Sequence, residues 1–193
     1  MANPTLASPV LLTDPGYLYW APPGSTLPTP VSTASAFSDS WPLAWIPMGM
    51  TLSGSDFDPN STVSPLLAAE QIDPIAYRTT ARVTTLSFQV LGFTATNLAR
   101  AFNGATTTVT GTGATTITKL DPPAIGTETR GMIGWESLDN TVRFIAYQVF
   151  NGGSLKMSMN KAPAMTAIPW TGSLEKPAST QPYSWWFAGA ARA

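Results

Sequence analysis

Cysteine and histidine are both missing from this chain. Their absence removes disulfides, thiolate nucleophiles, imidazole bases and the commonest zinc ligands together. Charge is scarce as well: charged residues make up 11% of the 193 residues, with ten Lys+Arg against eleven Asp+Glu for a net charge of −1. Soluble domains average about 25% charged residues. No apolar run approaches the roughly 18–20 residues of a membrane-spanning helix. The opening MANPTLASPVLL has no basic segment and is interrupted by Pro4 and Pro9, so neither a targeting peptide nor a membrane partner is expected.

Hydroxyl side chains fill the place of charge, with 27 Thr and 17 Ser. A neutral hydroxyl surface is cheap to desolvate, because a hydroxyl can be re-paired where a charge must be matched. Much of the surface is therefore expected to be buried against other subunits; an ordinary Thr-rich β-domain has the same composition. The length suits one domain, or one domain with a substantial arm. Met1–Tyr77 has no Lys or Arg and six acidic residues, whereas all ten basic residues follow from Arg78. The basic residues are scattered singly, which argues against specific DNA binding. Complementary halves suit head-to-tail contacts between identical copies, or pairing within one chain.

Residues 1–40 read as an extended arm with loops, broken by Pro4, Pro9, Pro15, Pro22, Pro23, Pro28 and Pro30. Within it Gly16–Ala21 can form a short strand, with Tyr17 and Tyr19 on one face and Leu18 and Trp20 on the other. Residues 41–193 read as a single β-sandwich or partial barrel. Its strands are expected at Ala44–Leu52, Arg82–Phe93, Met132–Leu138, Thr141–Phe150, Leu155–Met159 and Thr166–Leu174. In the second, Thr84, Leu86, Phe88 and Val90 alternate with Thr85, Ser87 and Gln89. One helix is expected over Ala95–Phe102, capped by Thr94 or Thr96 and stopped by Asn103-Gly104. Eight Thr in the fourteen residues Ala105–Thr118 flank Gly111-Thr112-Gly113, a hairpin signal. Ser53–Pro74 lacks periodicity and reads as a long loop, either an assembly element or disorder.

Catalytic and metal motifs are weak. Asp56-Phe57-Asp58-Pro59-Asn60 is similar to the start of a calcium loop, but Ser61 and Leu67 stand where Gly and Glu are needed. No carboxylate pair is singled out for glycoside hydrolysis, and no base accompanies the Ser and Thr hydroxyls. No enzyme and no cofactor are expected. Trp185-Trp186-Phe187 can form a sugar-binding platform, an intersubunit anchor, or part of the core.

The order of these elements resembles the major tail tube proteins of long-tailed, non-contractile bacteriophages. The resemblance is carried by Pro9–Val31 (PVLLTDPGYLYWAPPGSTLPTPV), Trp45–Asp58 (WIPMGMTLSGSDFD), Thr84–Gly104 (TTLSFQVLGFTATNLARAFNG), Arg130–Phe150 (RGMIGWESLDNTVRFIAYQVF) and Ile168–Pro177 (IPWTGSLEKP). It implies a β-sandwich with one flanking helix, forming hexameric rings that stack into a tube around a channel for the genome. It further implies a virion protein assembled in the host cytoplasm, with a tape-measure protein in the lumen, terminator and distal tail proteins at the ends, and DNA passing without specific binding. The long loop and the arm would bridge rings, which makes Asp56, Asp58, Asn60, Glu70 and Asp73 candidates for the first contact. Tyr17, Tyr19 and Trp20 are the candidates for the second. Thr85, Ser87 and Gln89 are the candidates for the lumen face. Other structural virion proteins (a tail terminator, a capsid decoration protein) and a carbohydrate-binding module are the competing readings.

Overall fold

The computed structural model describes residues 16–29, 32–33, 36–67, 73–157 and 166–188. In chain order the elements are β1 (Tyr17–Ala21), β2 (Ser32–Thr33), β3 (Ala36–Phe37), β4 (Ile46–Gly49), β5 (Thr51–Leu66), β6 (Ala76–Val90), α1 (Ala95–Ala101), β7 (Thr106–Thr110), β8 (Ile117–Asp121), β9 (Gly131–Glu136), β10 (Val142–Asn151), β11 (Ile168–Leu174) and β12 (Tyr183–Phe187). Eight strands form one antiparallel sheet in the order β4-β1-β9-β10-β11-β6-β5, with β12 also paired to β10. The pairs β2–β3 and β7–β8 are separate ribbons.

The sheet forks at β10. On one side β10 meets β9 along Arg143–Val149. On the other side its first half, Val142–Ala146, pairs with β12, and its last residues, Val149–Asn151, pair with β11. The branch β11-β6-β5 continues the same antiparallel sheet beyond the fork, so the chain is mainly β as expected and its strands belong to one forked sheet. Leu86, Phe88 and Val90 of β6 and Ile168 and Trp170 of β11 share a buried cluster with Leu18, Ile133, Phe144 and Val149. The sheet is not closed. Its two path ends, β4 and β5, are nonetheless consecutive in the chain, separated by Met50, and the bend is made at Gly49 (φ +98°), a conformation that glycine adopts without a Cβ clash.

β1, β9 and β10 are covered on both faces. Leu18 and Trp20 face the large cluster, while Tyr19 and Ala21 face a second cluster with Trp45, Met132 and Ile145. The described parts of 22–45 cover that second face, held by Trp45 Nε1 donating to the Thr26 carbonyl (2.9 Å) and by Tyr19 stacked on Trp41 (4.4 Å between centroids). Residues 17–21 form the short strand expected within 1–40, and it is an interior one, paired with β4 on one side and β9 on the other and carrying apolar residues on both faces. Gly134 lies under the Trp41 and Trp45 rings, where a Cβ has no room. Gly134→Ala is expected to cost about 1–3 kcal/mol, the usual penalty of overpacking, as a lowered melting temperature with native-like circular dichroism.

The segment 53–74, expected as a loop, is strand as far as Leu66 and pairs with β6 from Thr51↔Val90 to Leu66↔Ala76. Pro59 and Pro65 are accommodated because β5 is an edge strand, so the missing N–H groups fall on its unpaired side. Leu155–Met157, expected as the start of a strand, is not one; β11 and β12 together occupy the free side of β10, and Leu155 and Met157 pack on the core instead. Ser158 and Met159 lie outside the described residues.

The helix matches its signals. The Thr94 hydroxyl accepts from the Asn97 N–H (3.2 Å), and Asn103 and Gly104 take positive φ at the exit. Asn97 bolts the helix to the sheet by donating to the Met48 and Gly92 carbonyls, both at 2.9 Å.

Candidate assembly surface

Only the first part of the β5–β6 hairpin packs on its own subunit. Phe57 sits 5.0 Å from the rings of Phe144 and Tyr183, and Leu86 opposite it is buried. Beyond this point nearly every residue of both strands is exposed, including Val63, Leu66, Tyr77 and Val83. Eight residues separate Asp58 from Leu66, about 27 Å at a strand rise of ~3.3 Å. A two-stranded ribbon with both faces in water is marginal by itself. The β7–β8 hairpin, turned by a single 3-10 turn at Gly113–Thr115, is exposed along β7 and the first three residues of β8, with Val109 and Ile117 on its surface and Leu120 and Asp121 partly buried.

Register sorts the ribbon into two faces. Asp56 lies opposite Ser87, Asp58 opposite Thr85 and Asn60 opposite Val83. The neighbours of these residues along each strand, Phe57 and Leu86, face the core. Asp56, Asp58 and Asn60, predicted on a bridging loop, are therefore strand residues on the same face as Thr85, Ser87 and, one alternation further along β6, Gln89. Among the described residues no ion pair involves Asp56 or Asp58. The calcium-loop reading of this segment fails because these residues form an extended paired strand, which does not wrap its oxygens around one ion as a calcium loop must. No cluster of metal-ligating side chains occurs among the described residues. Asp73 is exposed at the ribbon tip; Glu70 lies outside the described residues.

The aromatic candidates separate. Tyr17 is exposed beside Gly49, Met50 and Leu138, lining an open groove. Tyr19 and Trp20 are half-buried on opposite faces of β1. Burial, followed by the nearby Glu136 carboxylate, pushes the Tyr19 phenol up. Trp185 packs on the large cluster and Trp186 on the second, while Phe187 is exposed. Neighbouring strand residues on opposite faces cannot make one platform for a sugar, which corrects that alternative.

Two polar networks that the sequence reading missed hold the scaffold. Arg143, 1% exposed at its side chain, pairs with Glu136 through Nε (2.6 Å) and with Asp39 through Nη1 (2.7 Å). Trp41 Nε1 donates to the second Glu136 oxygen (2.6 Å). The available signal was one Arg inside the apolar run VRFIAYQVF and one Glu ending GMIGWE. In the second network Arg130 donates to Glu175 through Nε (3.1 Å) and Nη2 (3.3 Å), and Gln148 adds a bond of 2.6 Å. The Arg130 bond holds the Glu175 carboxyl below the usual carboxylate range; partial burial opposes it and the Gln148 bond assists it. A depressed carboxylate stabilises the fold above its unfolded-state pKa, and that stabilisation is lost as pH falls through the folded value. Melting temperature should therefore fall more steeply in wild type than in Glu175→Gln as pH drops from ~4.3, the ordinary Glu value, toward the lower value of the folded state.

The geometry defines a class: a β-sheet building block whose unspent surface is strand edge and ribbon. A family model described as phage tail tube protein matches residues 6–186, and the chain belongs to that family. Comparison with curated proteins finds no match. The family identifies a structural protein of the virion tail that assembles with itself into a tube. No helix among the described residues is long and apolar enough to cross a membrane.

Proposed function

We propose that this chain is the repeating subunit of a non-contractile phage tail, with six copies closing into a ring and rings stacking around a channel for the genome. The observation that carries the reading is the β5–β6 ribbon, whose outer part exposes two faces and a free edge that the described residues of its own subunit do not cover. Pairing with a neighbouring copy would supply the missing cover and remove the edges, as closure does in any barrel. The face with Asp56, Asp58, Thr85, Ser87 and Gln89 is the one turned to the channel. Its carboxylates repel a DNA backbone and its neutral side chains offer no cation to replace counterions, which suits passage without arrest. A tape-measure protein would occupy this channel before DNA, and terminator and distal tail proteins would cap the tube after assembly in the host cytoplasm.

Negative-stain microscopy of the purified protein tests the reading. Stacked rings with sixfold end views are the expected result. Isolated rings that never stack would instead indicate a terminator. Tubes of Asp56→Lys/Asp58→Lys should retain duplex DNA at low salt and release it at high salt, whereas wild-type tubes should retain none; equal retention would remove these residues from the channel.

A further inference from the structure

Between α1 and the sheet lies a cavity of about 230 Å³. Trp20, Val149 and Trp170 give it apolar walls, and the exposed residues Thr96, Gly104 and Thr129 form its rim. Arg100 also lines it and is 8% exposed. The guanidinium sits over the Trp20 ring, 4.6 Å from the centroid, and Nη1 donates to Asn97 Oδ1 at 3.1 Å. A guanidinium carries five N–H donors. Among the described residues no carboxylate pairs with this one, and no other acceptor takes its remaining donors. Trp170 Nε1 is likewise buried without an acceptor. Desolvation lowers the Arg100 pKa with nothing to raise it. A buried, unpaired cation is costly to keep, and a carboxylate brought by another copy would offset that cost.

The complementary chemistry lies at the ribbon tip. Asp73 is exposed there with no ion pair among the described residues, beside exposed Leu66, Leu67 and Ile75. The tip cannot serve its own cavity. α1 follows the far end of β6, a strand of 15 residues, which spans about 45–50 Å at a strand rise of ~3.3 Å.

We propose that the cavity receives the ribbon tip of a second copy, with the Asp73 carboxylate on Arg100 and Ile75 against Trp20 and Trp170. The contact is head-to-tail: each copy offers a tip and a receptacle, so it repeats without limit along an axis. It rests on the tail-tube reading and names the contact within it.

The chain has no cysteine, so an introduced pair reports without background. In tubes of Asp73→Cys/Thr96→Cys, oxidation should give a ladder of disulfide-linked dimers and higher multimers on a non-reducing gel, with neither single variant doing so. Arg100→Met keeps the stem that packs on Trp20. It should leave the subunit's melting temperature unchanged or raised, yet raise the concentration needed for tubes on the order of tenfold or more, with Asp73→Asn doing the same and the double variant little worse. Tubes that form without a ladder, a cross-link confined within one chain, or assembly of Arg100→Met at the wild-type concentration would each overturn the inference while leaving the tube reading intact. A wild-type chain that forms no tubes overturns that reading and this contact with it.

Discussion

A chain cut back at the ribbon, with Asn60 joined to Val83 through Asn-Gly, is expected to remain a folded monomer and to form no tubes at any concentration. Asn60 and Val83 are register partners, so a two-residue turn can close the shortened hairpin without shifting the pairs behind it. Among its described residues the excised part has none that is buried, whereas Phe57, Leu86, Phe88 and Val90, which fill the core, are all retained. Circular dichroism and a melting temperature within a few degrees of wild type should accompany complete loss of polymer by sedimentation. Normal tubes from this variant would mean that the subunits meet elsewhere. A collapse of the fold would mean that the ribbon stabilises its own domain, contrary to its exposure.

The second large effect lies in the scaffold. Arg143→Met removes the one cation between Glu136 and Asp39 and leaves a buried carboxylate with Trp41 Nε1 as its remaining side-chain donor. Breaking a buried pair by deleting one partner costs about 3–5 kcal/mol. At roughly 2–4 °C per kcal/mol for a domain of this size, melting should drop by on the order of 10 °C. The double change Arg143→Met/Glu136→Gln should recover part of the loss, because the stranded charge is gone. The same Arg lies over Phe37 (4.5 Å to the centroid) and Trp41 (5.4 Å), so loosening should begin in the segment that covers the second face of the sheet. Hydrogen exchange at Phe37 and Trp45, whose N–H groups bond to the Asn140 and Pro42 carbonyls, would report it. Equal melting of wild type and Arg143→Met would show the network to be dispensable.

The parts legible in the sequence are those whose signals are local. Thr84, Leu86, Phe88 and Val90 alternate because one face of β6 is core, and all four are buried. Thr94 and Asn103-Gly104 bound the helix through backbone bonds within a few residues. The Thr-rich hairpin announces its turn with Gly111 and Gly113. β5 was opaque for the opposite reason. Its outer half contacts no core of its own, so no burial imposes a period on Asp58–Pro65, and an edge position tolerates the prolines and acids that argue against a strand. The fork at β10 was equally hidden, because nothing in VRFIAYQVF states that two different strands share one of its sides. For the assembly surface, composition identified the need for cover, but register was required to bring Asp56 and Asp58 onto one face with Thr85 and Ser87. Nothing in the sequence singles out Arg100, since its isolation is apparent only once the surrounding side chains are in place.

Pro59 and Pro65 in the free edge of β5 bear on the time before any tail exists. Thousands of identical chains with long bare ribbons would otherwise be primed to zip together at random into fibres. An intruding strand placed along this margin meets two gaps in the row of donors and forfeits bonds at both, so chance pairing stops short. If subunits do meet along this ribbon, the two imino acids would act as a safety catch, disfavouring chance strand pairing while leaving the side chains free for a correctly shaped template.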